Sequence, residues 1–227
     1  MDNIVFYKNR VVFRAIPKNA STYFKSKVLD MNAAYLTSDV YEIYRKCNVS
    51  AFVVVVRDPL TRFYSAIAED TKTETIVEKY ELTNRSYEEK VATYIELLYN
   101  KFYSKELTAK ESFNEWSWGK FGYCHMRPQV HWLYDSKGNS IKHLVTNYFN
   151  VEDMFLHKDY SKINEFLTTH SLNLFDSDRY NCNLFKSCEL VDSIVGSYGI
   201  TTDELVNKVY KDDFDLLNNS DGRNSNN

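Results

Sequence analysis

Two strand-to-helix loops carry the residues best suited to holding anions. The first is Pro17-Lys18-Asn19-Ala20-Ser21-Thr22. A β-rich run, Val11–Ile16, leads into it, and a helical pattern from Ala20 to Met31 leads out. A helix N-terminus offers N–H groups without helical partners and the positive end of a dipole, an arrangement that binds phosphate. Lys18 adds a point charge, and Ser21 and Thr22 add hydroxyl donors. The loop has no glycine, so the G-x-x-x-x-G-K-[ST] phosphate loop is absent and an ATP-hydrolysing reading loses ground. The plain alternative is a surface turn with a solvated lysine.

The second loop is Arg57-Asp58-Pro59-Leu60-Thr61-Arg62-Phe63-Tyr64-Ser65. Arg57 stands at the tip of the apolar run Ala51–Val56, and Ser65 follows about two helical turns later on one face. A guanidinium fork with a hydroxyl suits a second, separate phosphate. The alternative is an Arg57 ion-paired to Asp58 at the helix start.

A proton acceptor must come from elsewhere, and histidine titrates in the useful range. The five histidines are His125, His131, His143, His157 and His170. His125 and His131 flank Pro128-Gln129, and spacing alone does not separate them as base candidates. His143 reads as a packing residue in a strand; His157 and His170 fall in helical, solvated stretches and receive no role. Trp116, Trp118 and Trp132 suit either a stacking platform or the core, and filling the core is the commoner use. Arg179-Tyr180-Asn181 precedes the last helices and is a candidate to close over a nucleotide.

The elements that position these residues alternate. Ile4–Tyr7 and Val11–Ile16 read as strands joined by a Lys8-Asn9-Arg10 turn, and Ala51–Val56 as a strand buried on both faces. Asp58-Pro59 has the form of an N-cap followed by proline at the first helical position, and the helix runs to about Asp70. Thr71–Arg85 reads as polar and irregular and is a candidate mobile loop. Ser86–Phe102 is amphipathic and opens with a Ser86/Glu89 capping box. Lys105–Cys124 is ambiguous. Asp135–Asn139 is a turn, Ile141–Phe149 a strand, and Val151–His170, Ser187–Tyr198 and Thr202–Tyr210 are helical. The polar segment Asn218–Asn227 is expected to be a disordered tail, with one domain over residues 1–217. The sum is an α/β layer architecture, in which ligands bind outside the carboxyl ends of the strands.

Composition removes other classes. Of 227 residues, 28 are Lys or Arg and 31 are Asp or Glu, so the net charge of −3 argues against a nucleic-acid coat. No run is long and apolar enough for a bilayer, and no signal peptide is visible in MDNIVFYKNR. Cys47, Cys124, Cys182 and Cys188 show no metal spacing and read as thiols of a cytoplasmic protein, with a Cys182–Cys188 disulfide as a second reading.

Together the segments resemble the PAPS-dependent sulfotransferases, closest to the carbohydrate sulfotransferases of the chondroitin type. PKNAST after a strand and VVVVRDPLTRFYSAI after the next carry the resemblance, with His125-Met126-Arg127-Pro128-Gln129 similar to an H-x-x-P-Q element. Val209-Tyr210-Lys211-Asp212-Asp213-Phe214 is similar to a Y-x-x-D-F element, and Asn150–Met154 to a strand-end Glu segment. The family's loop often has Gly or Cys where Asn19-Ala20 stands, and Thr71–Gly122 has no counterpart.

The resemblance implies a P-loop-like sulfotransferase fold with a central, mostly parallel sheet flanked by helices. It implies PAPS as donor without a metal, and a hydroxyl acceptor, expected to be a glycan. Lys18, Asn19, Ala20, Ser21 and Thr22 would hold the 5′-phosphosulfate, with Lys18 at the leaving oxygen. Arg57 and Ser65 would hold the 3′-phosphate, and His125 would be the base, with His131 as the alternative. Competing readings are a nucleotide or small-molecule kinase with a degenerate phosphate loop, and a non-catalytic nucleotide-binding protein.

Overall fold

The computed structural model describes residues 3–19, 34–36, 40–73, 77–78, 81–118, 125–135, 137–155, 161–172 and 188–223. Ala20, Ser21 and Thr22, the expected helix Ala20–Met31, Cys124, Cys182, His157 and Arg179–Asn181 lie outside them. The chain sorts into two compact units. The first comprises Met1–Asp58, Trp132–Asn181 and Asp215–Asn227, and the second Pro59–His131 and Cys182–Phe214.

The first unit is built on a mixed sheet, so the chain is of the α/β class. Its strands are β1 (Asn3–Phe6), β2 (Val11–Arg14), β3 (Ala34–Leu36), β4 (Ala51–Val56) and β5 (Asn147–Asn150), in the order β3-β1-β2-β4-β5. The β2–β4 and β4–β5 pairs are parallel and β1 is antiparallel to both neighbours, so β1 alone among the described strands runs the other way. The turn from β1 to β2 is tight because Arg10 takes a left-handed φ of 61°.

Alternation within each strand feeds two cores. Phe13, Val53, Val55 and Phe149 face one side with Ile163, Phe166 and Leu167 of α6 (Ser161–Thr169). Val12, Phe52, Val54 and Tyr148 face the other, with Ile43 of α1 (Val40–Cys47), Leu133, Ile141 and Leu216. β4 is buried at every position, as its continuous apolar run requires. Within this sheet Arg14 is also buried. Its guanidinium donates to the Trp132 carbonyl at 2.8 Å, the Tyr134 carbonyl at 3.3 Å and Asn3 Oδ1 at 2.9 Å. Those acceptors offset the desolvation of the charge.

The second unit is helical among its described residues. α2 (Pro59–Asp70) buries Pro59, Arg62, Phe63, Ala66, Ile67 and Asp70, one stripe at helical spacing. Against it pack α3 (Tyr87–Leu98), α4 (Ala109–Trp118), α7 (Cys188–Gly196) and α8 (Thr202–Val209). The Ser86/Glu89 capping box opens α3, and Thr201/Glu204 forms a second at α8. α3 ends in a π-helical turn, Tyr99–Tyr103, which stacks Phe102 on the buried Trp116 with ring centroids 4.3 Å apart. Trp116 is thus a core residue.

Four local expectations change. Ile141–Phe149 is not one strand: a 3-10 turn at Lys142–Leu144 precedes β5, and His143 lies in that turn beside the Tyr41 ring. Val77 and Leu82, in the expected mobile segment, bury their side chains in the core. His170 is half-buried against Phe166, with ring centroids 4.2 Å apart. Finally, α9 (Lys211–Arg223) covers residues 218–223 of the polar tail, with α5 (Val151–Phe155) completing the set. Extending a helix anchored at Leu216 adds one bond per residue and needs no further apolar side chain. No helix among the described residues is long and apolar enough to cross a membrane.

Candidate functional site

In the first unit the two loops meet. β2 and β4 are adjacent and parallel, so Pro17–Asn19 and Arg57–Asp58 leave the same edge of the sheet. Asn19 is 2% exposed, and its Nδ2 donates to the Val55 carbonyl at 2.8 Å. Arg57 Nη1 donates to the Lys18 carbonyl at 3.0 Å. Lys18 sits at φ 66°, a left-handed conformation unusual for a residue with a Cβ. The loop backbone is thus held turned by its neighbours on both sides.

Arg57 also meets an acid from outside its own loop. Arg57 Nε lies 3.5 Å from Glu152 Oε1, and the other Glu152 oxygen accepts the Asp58 backbone N–H at 3.0 Å. Glu152 opens α5 directly after β5, and its own N–H donates to Asn150 Oδ1 at 2.8 Å. Three parallel strand ends therefore contribute to one polar cluster: Asn19 after β2, Arg57 after β4 and Glu152 after β5. The strand-end Glu segment signalled this position, but the sequence gives no partner for it.

In the second unit Ser65 is half-buried on α2. His125 is partly open, with 29% of its side chain exposed, and its Nδ1 lies 2.5 Å from Asp70 Oδ1. His131 is buried, its ring edge-on to Phe113 at 5.3 Å between centroids. It lines a cavity of about 340 Å³ with Phe102, Lys105, Lys208, Tyr210 and Lys211. The two candidate bases thus have different surroundings: a buried carboxylate for His125, an aromatic wall for His131.

The segment between them is fixed through its backbone. Arg62 Nη2 donates to the carbonyls of His125, at 2.9 Å, and Arg127, at 2.8 Å. Asp213 accepts the N–H groups of Gln129 and Val130, both at 2.8 Å. Full burial pushes the Asp213 carboxyl up to about 6, against the pull of the Arg62 charge and the two N–H donors. Asp70 was not singled out from the sequence, and Arg62 and Asp213 stand in the motif segments without an assigned role. The available signal was Arg62 and Asp70 standing on the apolar stripe of α2, where a charge has to have a partner.

Among the described residues no group of His, Cys, Asp and Glu side chains has the arrangement of a metal site. Compared with known proteins, the chain matches no family model, no curated protein and no solved structure.

Proposed function

We propose that this chain is a sulfotransferase with the P-loop-like fold of that class, moving a sulfuryl group from PAPS to a hydroxyl, with a carbohydrate as acceptor. The observation that supports it most is the stitching of the two loops at the ends of adjacent parallel strands. Asn19 reaches Val55 and Arg57 reaches Lys18, so Lys18 and Asn19, assigned to one phosphate, and Arg57, assigned to the other, share one edge of the sheet. Carboxyl ends of parallel strands are where α/β sheets take ligands.

The chemistry follows from positioning and charge. The acceptor oxygen attacks sulfur in line, a new S–O bond forms, and the S–O bond to the 5′-phosphate breaks. Its electron pair leaves on PAP, and Lys18 offsets the charge developing there. The hydroxyl proton passes to a base, and His125 is our assignment. Arg57 and Ser65 select the 3′-phosphate, and Ala20, Ser21 and Thr22 supply donors to the 5′-phosphate.

A thermal-shift comparison of PAP, PAPS, ATP and AMP without magnesium tests the reading. A nucleotide at about 100 times its dissociation constant stabilises by about 2.7 kcal/mol. PAP is expected to stabilise well above AMP, and Arg57→Ala to erase the difference. Equal shifts for PAP and AMP, or a shift with ATP alone, overturn the donor assignment.

A further inference from the structure

Asp70 is the last residue of α2, and its side chain is fully buried. The last turn of that helix carries no basic residue, so the carboxylate faces the negative end of the helix dipole without local compensation. Removal from water adds a second cost. His125 meets both. Its backbone N–H donates to the two Asp70 oxygens at 3.1 and 3.0 Å, and its ring Nδ1 lies 2.5 Å from one of them. One carboxylate thus fixes both the backbone and the ring of the same residue. Arg62 fixes the His125 carbonyl from another side.

An ionised carboxylate only accepts hydrogen bonds, so the ring nitrogen facing it carries the hydrogen. In a neutral imidazole the other nitrogen, Nε2, is then the acceptor. The partial exposure of the His125 side chain leaves part of the ring open to a ligand.

We propose that Asp70 is a positioning residue, holding His125 in its Nδ1–H tautomer so that Nε2 takes the proton of an acceptor hydroxyl. This rests on the reading of His125 as the base. As the new S–O bond forms, the hydroxyl proton moves to Nε2. The resulting imidazolium faces the Asp70 carboxylate through Nδ1–H, which stabilises it without moving a second proton.

The test is NMR of the protein with ¹⁵N-labelled histidine, read together with PAP-dependent thermal shift and single-turnover transfer to a carbohydrate acceptor. In the parent, the neutral His125 ring is expected to show a protonated Nδ1 and a bare Nε2. Asp70→Asn is expected to shift or mix those signals and to slow transfer by roughly 10²–10⁴-fold, the scale of a general base, while the PAP shift persists. A parent His125 protonated on Nε2 overturns the proposal, as does an Asp70→Asn protein with parent-like ring signals and rate. If Asp70→Asn does not fold, the parent ring signals decide alone. A parent that ignores PAP defeats the sulfotransferase reading, and the ring signals still report whether Asp70 sets the tautomer.

Discussion

Arg62 and Asp213 hold one loop by opposite chemistry. The guanidinium donates to the His125 and Arg127 carbonyls, while the carboxylate accepts from the Gln129 and Val130 amides. Both side chains are buried, and the attraction of Arg62 acts on the Asp213 charge. Backbone groups at four positions in a row of six residues are therefore satisfied without regular secondary structure at His125 to Pro128.

The first expected outcome concerns acid. The folded Asp213 carboxyl titrates at about 6, above its ordinary 3.8, so the folded protein keeps a proton that the unfolded chain releases. Stability from this group is fully present below the unfolded value and is lost as pH rises through about 6. Thermal unfolding followed from about pH 7 down to about pH 4 should show the parent gaining on Asp213→Asn. A constant difference between the two proteins across that window rules this out.

Arg62→Met should be among the most damaging single changes, by about 3–5 kcal/mol, because it strands a buried carboxylate. Adding Asp213→Leu should recover part of that loss. Denaturant unfolding of the two single variants and the double variant measures the coupling, and strict additivity would show that the pair does not act together.

Lys18 separates strain from chemistry. Lys18→Ala should reduce turnover roughly 10²–10³-fold, the scale for one charge-stabilising donor. Lys18→Gly should be equally slow yet melt higher than Lys18→Ala, since glycine takes φ 66° without the ~1 kcal/mol cost a Cβ brings. Turnover and melting curves of the two variants check it; a glycine variant that melts lower than the alanine variant would contradict the strain.

Asn19→Asp should be worse than Asn19→Ala. The amide nitrogen that donates to Val55 becomes an oxygen facing a carbonyl in a buried place. Alanine should cost about 1–3 kcal/mol, and the ranking of the two midpoints in urea tests the assignment.

The caps offer an internal control. Ser86→Ala and Thr201→Ala each remove a capping box and should cost about 1 kcal/mol. Nucleotide shifts measured on these variants should match the parent's, because neither cap belongs to the loops at the strand ends.

What could be read in advance follows the range of the interactions. β4 and α2 were legible because Ala51–Val56 is continuous and Asp58-Pro59 marks a helix start, both local signals. The Ser86/Glu89 capping box was legible for the same reason. The Ile141–Phe149 run was misjudged because an alternating pattern does not distinguish a strand from a 3-10 turn that buries Ile141 and then leads into β5. At the site, the loop residues were legible by type, but their partners were not. Glu152 is separated from Asp58 by 94 positions and Asp70 from His125 by 55. Such pairings depend on the tertiary fold, and only the placement of Arg62 and Asp70 on an apolar stripe hinted that they existed.

The bond between Asp213 and the Gln129 amide spans 84 positions. During synthesis the ribosome makes the His125 segment and must then add β5, α5, α6, α7, α8 and the start of α9 before its acceptor emerges. Until then two amides that end up buried have only water or a transient partner, and the shape that holds His125 is incomplete. A long-range closure of this kind is slow to form and leaves the nascent chain exposed for longer. Ribosomal pausing between the codons for Val130 and Asp213 would therefore lengthen the time for which a chaperone has to shield this segment.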